Sequence, residues 1–88
     1  MGDRVDDLRD EIGANDNRIV EAVNERLRLV SELWELKREL GIDQVDSERE
    51  RTLRTQLASA NSGPLSNDGL DELISELLAL TKRELGSR

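Results

Sequence analysis

Three polar side chains sit where a helix should carry leucines. On a helical wheel turning about 100° per residue, Asn15, Arg26 and Lys37 all fall within about 20° of Leu8. Ile12, Ile19, Val30 and Leu33 mark the same seam. Arg26 and Lys37 are eleven residues apart, about 16 Å along one face. Arg9 lies about 100° round, on the shoulder. Further on, Arg49 and Glu50 precede Leu53 by four and three positions, which places both near the apolar stripe of a second helix. Thr81 interrupts the apolar face of a third. A single arginine in a seam can reach back to water along its stem, and one polar seam residue can merely set register. Two cations in phase, with Arg49 and Glu50 directed inward beside them, need a partner, because an unpaired charge in an apolar core is too costly to keep. Glu50 alone does not neutralise Arg26, Lys37 and Arg49 together. Either acidic side chains satisfy these cations or they line a wet pocket that receives a small anion.

The elements that must hold these residues are helical. Residues 5–40 contain no proline and only Gly13 as a glycine, and Val5, Leu8, Ile12, Ile19, Val23, Val30, Leu33 and Leu40 recur at helical spacings. Asp3 is the expected N-cap, with Asp6 and Asp7 in the first turn and Gly41 as the C-terminal glycine. Gly13 costs about 1 kcal/mol of propensity without having to break so long a run. A turn follows over Gly41-Ile42-Asp43-Gln44-Val45. Ser47 and Glu50 have capping-box spacing, with Asp46 as a competing cap, and start a second helix over residues 47–59. Asn61-Ser62-Gly63-Pro64 breaks it, and residues 59–68 form a candidate mobile loop. The third helix carries Leu70, Leu73, Ile74, Leu77, Leu78, Thr81 and Leu85 and ends at Gly86. Trp34 reads as core edge and Arg51 and Arg54 as solvated, while Lys82, Arg83 and Arg88 suit the negative end of the third helix.

Composition narrows the chemistry. The 88 residues, read as a single domain over 1–88, hold no cysteine and no histidine, so disulfides, Cys/His zinc sites and histidine or cysteine catalysis are unavailable. No run approaches the ~18 apolar residues of a membrane span, and the first residues lack a signal-peptide pattern, so a cytoplasmic location is expected. The net charge of −7 disfavours general affinity for nucleic acid or anionic membranes.

Length then dictates assembly. A first helix of ~35 residues spans roughly 50 Å, whereas a compact chain of this size has a radius of gyration near ~12 Å. Two shorter helices do not cover both ends of such a rod, yet its apolar stripe runs the whole way. The surplus must be buried by another chain, most simply in a two-fold pair of long helices. A bend back at Gly13 is the alternative. The expected fold is therefore all-α, a three-helix protomer with one long N-terminal helix in an intertwined homodimer.

The residues carrying these features resemble the all-helical chorismate mutases over almost the whole chain: Leu8-Arg9-Asp10-Glu11-Ile12, then Asn24-Glu25-Arg26 with Lys37 eleven on, then Asp46-Ser47-Glu48-Arg49-Glu50. The resemblance implies a dimer with two active sites, chorismate as substrate and no cofactor. It gives Arg9 the role of an arginine lent across the dimer to a substrate carboxylate, and Arg26 that of the in-chain arginine for the other carboxylate. It gives Lys37 contact with a carboxylate and the ether oxygen. Asp46 and Arg49 become pocket-lining residues, Glu50 the acceptor for the substrate hydroxyl, and Thr81 the counterpart of a third-helix serine.

One turn beyond Thr81 the chain departs from the family, which usually has a glutamine donating to the ether oxygen. Here Leu85 and Glu84 are the candidates for that position. Leucine has no proton to give, and glutamate donates only when protonated, so a mutase relying on Glu84 would favour lower pH. The ending Thr81-Lys82-Arg83-Glu84-Leu85-Gly86 resembles the actinobacterial intracellular branch, which implies association with DAHP synthase. Two other functions remain open from the sequence: an isochorismate–pyruvate lyase on the same fold, and a non-catalytic helical dimer acting as an interaction or regulatory module.

Overall fold

The computed structural model describes residues 2–43 and 46–86. Gln44 and Val45 of the expected turn, and Arg88 among the expected C-terminal cations, lie outside them. Three helices make up the chain: α1 (Asp3–Leu40), α2 (Ser47–Ala60) and α3 (Asn67–Leu85). α1 runs through Gly13 without interruption, so the bent-back alternative does not occur. None of the helices is long and apolar enough to cross a membrane, among the described residues.

Local chemistry sets the ends. α1 starts one residue earlier than a side-chain cap would place it: Gly2 holds the N-cap position without a side-chain bond, and Asp3 is already helical. At the other end Gly41 adopts φ 70°, a left-handed conformation that glycine enters without a Cβ penalty, and its N–H closes onto Arg38 O. For α2 it is Asp46, rather than Ser47, that caps: its extended backbone lets Oδ1 accept from the Arg49 N–H at 3.0 Å. Ser66 caps α3 in the same way, accepting from the Gly69 N–H at 3.0 Å. Between α2 and α3, Asn61 ties the loop together, donating from Nδ2 to Leu65 O and accepting from the Gly63 N–H.

α3 is the centre of the protomer and packs against both other helices. It supplies the buried side chains Leu70, Ile74, Thr81 and Leu85, with Ile74 only 2% exposed. Arg54, expected to be solvated, instead joins α2 to α3. Its guanidinium donates to Asp71 Oδ1 at 3.2 Å and to Ser75 Oγ at 2.9 Å.

The molecule measures 61 × 26 × 17 Å with a radius of gyration of 16.7 Å, well beyond the ~12 Å of a compact chain this long. The excess comes from α1. Every residue over 2–22 is exposed, including Val5, Leu8, Ile12 and Ile19 on the apolar seam. Ile12 and Ile19 are 58% and 53% open to solvent.

Candidate active site

A cavity of about 430 Å³ opens where the C-terminal half of α1 meets the start of α2 and the end of α3. α1 contributes Arg26, Val30, Leu33, Trp34 and Lys37. Their spacings of four, three, one and three keep them on adjoining strips of one helix face. Asp46, Arg49, Glu50 and Leu53 come from the cap and first two turns of α2. Leu78, Thr81, Lys82 and Gly86 complete the wall from α3.

The walls divide by chemistry. Val30, Leu33, Trp34, Leu53 and Leu78 are apolar and lower the local dielectric, which strengthens the field of the charges among them. Four cations, Arg26, Lys37, Arg49 and Lys82, face two carboxylates, Asp46 and Glu50. That leaves a surplus of two positive charges in a chain whose net charge is −7. None of the four cations is in an ion pair among the described residues. Of the two carboxylates, Asp46 is engaged as the α2 cap and spends one oxygen on the Arg49 backbone.

Arg26 is the best-fixed of the cations. Its Nη1 donates to Thr81 Oγ1 at 2.6 Å, and Thr81 in turn donates to Leu77 O at 2.8 Å. Thr81 is only 4% exposed, so this relay is held inside the α1–α3 contact. Arg26, Lys37 and Glu50 are half-buried, whereas Arg49 and Asp46 lie toward the open side.

The cavity therefore brings together Arg26, Lys37, Asp46, Arg49, Glu50 and Thr81 from the sequence-based set. The other three lie elsewhere in this chain. Arg9 is exposed on the free half of α1, 3.8 Å from Asp6, and at seventeen residues from Arg26 stands about 25 Å away along the helix. Glu84 is exposed and Leu85 is buried in the α3 core, and neither belongs to the cavity wall.

Two lining residues escaped the sequence reading. Lys82 was sufficiently explained as a cation at a helix C-terminus, and Trp34 as core edge. The available signal for Lys82 was its adjacency to Thr81, and for Trp34 its position between the lining residues Val30 and Lys37.

An all-helical frame around an apolar cavity ringed by cations defines a site for a small organic anion. The sequence pattern of the chorismate mutase type II family matches residues 8–84, and the chain belongs to that family. Two crystal forms of the chorismate mutase from Thermus thermophilus share the fold. Form I superposes with a TM-score of 0.85 at 31% identity, covering 89% of this chain and 98% of its own. Form II reaches 0.88 at 30% identity, covering 97% and 96%. Among curated proteins, none matches the chain by sequence.

Proposed function

We propose that this chain is a chorismate mutase that converts chorismate to prephenate, the committed rearrangement toward aromatic amino acids. The observation that carries this is the cavity's surplus of two positive charges, which matches a substrate with two carboxylates. Family membership names the reaction.

The reaction is an intramolecular Claisen rearrangement, so it asks for no base, nucleophile, metal or cofactor. A chain without His or Cys can perform it. The protein must hold a flexible dianion with its reacting ends together, and must stabilise the negative charge that grows on the ether oxygen as the C–O bond breaks. Arg26 grips one carboxylate with a planar fork suited to that group. Lys37 contacts a carboxylate and the ether oxygen. Glu50 accepts from the substrate hydroxyl, while Asp46 and Arg49 line the floor. Among the α3 lining residues, only Lys82 has a side-chain proton that is not already donated: Leu78 and Gly86 have none, and the Thr81 hydroxyl serves Leu77 O. Lys82, rather than Glu84 or Leu85, is therefore the α3 donor we assign to the substrate.

The remaining parts of this reading concern assembly. The exposed seam Val5, Leu8, Ile12 and Ile19 supports a homodimer in which Arg9 enters the partner's cavity. Association with DAHP synthase is supported by the resemblance of Thr81-Lys82-Arg83-Glu84-Leu85-Gly86 alone, and a cytoplasmic location by the pathway.

The test is a chorismate-consumption assay with product analysis, run with and without DAHP synthase. Prephenate formation supports the mutase. Salicylate plus pyruvate from isochorismate would reassign the chain to a lyase, and no turnover in either condition would leave it a non-catalytic helical protein. A rise in kcat/KM on adding DAHP synthase supports that partnership.

A further inference from the structure

The α3 hydroxyl beside the cavity has its bonding capacity committed inside the protein. A threonine hydroxyl carries one proton and two lone pairs. Arg26 can only donate, so at 2.6 Å Thr81 Oγ1 is necessarily the acceptor. The single proton goes to Leu77 O at 2.8 Å, a helix-interior carbonyl four residues back. What Thr81 turns toward an anion is a lone pair, which repels it. Arg26, by contrast, has further N–H groups to offer after donating one to Thr81.

We propose that Thr81 is a positioning residue: it fixes the Arg26 guanidinium for the substrate carboxylate and makes no substrate contact of its own. This rests on the mutase reading above. Arginine has a long side chain with about 2 kcal/mol of rotamer entropy. Binding an anion with a freely rotating fork loses that freedom at the moment of binding, whereas a fork already held by Thr81 has lost it on folding. The burial of Thr81 at 4% exposure keeps water from competing for the same bond. The relay also spans α1 and α3, so the packing of α3 against α1 directly sets the orientation of Arg26.

The test is a double-mutant cycle. Thr81→Val removes the hydroxyl while keeping the shape, and Thr81→Ser keeps the hydroxyl. We expect Thr81→Val to lower kcat/KM about tenfold and Thr81→Ser to stay within about twofold of the parent. In an Arg26→Lys background, Thr81→Val should then change kcat/KM by less than about twofold, because the group it positions is gone. An undiminished tenfold loss in that background would instead mean direct substrate contact and overturn the proposal. So would a parent-like Thr81→Val enzyme. A second readout is independent of the reaction: rotation of the Arg26 guanidinium, followed by NMR, should be slow in the parent and Thr81→Ser and fast in Thr81→Val. Equal rotation in all three overturns the proposal whatever the substrate. Failure of the mutase reading appears differently, as a parent protein that consumes no chorismate while the rotation difference persists.

Discussion

Residues 3–22 and 23–40 of α1 share one helix and one apolar seam, yet they differ completely in what covers them. The first stretch is exposed at every residue, while the second places Val23, Arg26, Val30, Trp34 and Lys37 at half-buried positions against α3 or the cavity. Nothing in the periodicity changes at residue 22. What changes is the reach of the rest of the chain: α3 has 19 residues, about half the length of the 38-residue α1. The comparison shows that an apolar stripe reports a need for burial and not which chain meets it. The covered half forms a cavity wall in its own protomer, and the free half carries the same chemistry without cover, Arg9 included.

The largest effect should come from breaking the free half. Replacing Ile12 and Ile19 together by glutamate removes two seam side chains per protomer. At about 2 kcal/mol each, the four lost in a two-fold dimer approach about 8 kcal/mol, the whole binding free energy of a micromolar complex. Sedimentation should show monomers at micromolar concentration, with reduced helicity and no measurable mutase activity. A double variant that stays dimeric, or an original chain that is monomeric and fully folded, would remove the free half from the interface.

Next in size are the cations, which distinguish the two halves by chemistry. Arg26→Ala or Lys37→Ala should each lower kcat/KM at least about a hundredfold, about 2.7 kcal/mol of transition-state stabilisation, with the dimer intact. Arg9→Ala should also impair activity although Arg9 stands far from its own cavity. Mixing subunits tests that directly. Random reassociation of Arg9→Ala with Arg26→Ala chains gives about half heterodimers, each with one unmutated site, so activity should recover to about a quarter of the parent level. No recovery would place both residues in the same chain's site or leave Arg9 without a role.

Much of this arrangement was legible from residue types and spacing. The three helices and their near-boundaries follow from apolar periodicity, and Arg26, Lys37 and Glu50 were visible as charges in phase with leucines. That logic works within one helix, where side-chain direction is a function of residue number. It fails where two helices set the outcome. Arg54 looks solvated on α2 alone and becomes a tie only because Asp71 and Ser75 of α3 face it. Asp46 and Ser47 both have capping chemistry, and the choice fell to the residue with extended backbone, φ −139° and ψ 94°. Glu84 and Leu85 could be counted to a position one turn past Thr81, but which α3 side chains reach the cavity depends on how α3 rotates against α1 and α2.

Lys82 carries the smallest of these effects, and it tests whether the cavity's charge surplus operates as a field or through a few fixed contacts. Lys82 is exposed at the cavity's α3 edge, so its attraction for a carboxylate is weakened by water and salt. A unit charge about 6 Å from a carboxylate at an effective dielectric near ~60 contributes about 1 kcal/mol, roughly fivefold in affinity. Lys82→Gln should therefore raise KM about fivefold with kcat nearly unchanged, and the difference should shrink at high ionic strength. Lys82→Arg should behave like the parent. If Lys82→Gln instead depresses kcat strongly and salt has no influence on the effect, Lys82 donates to the breaking ether bond, and the α3 wall takes part in the chemical step as well as in capturing the dianion.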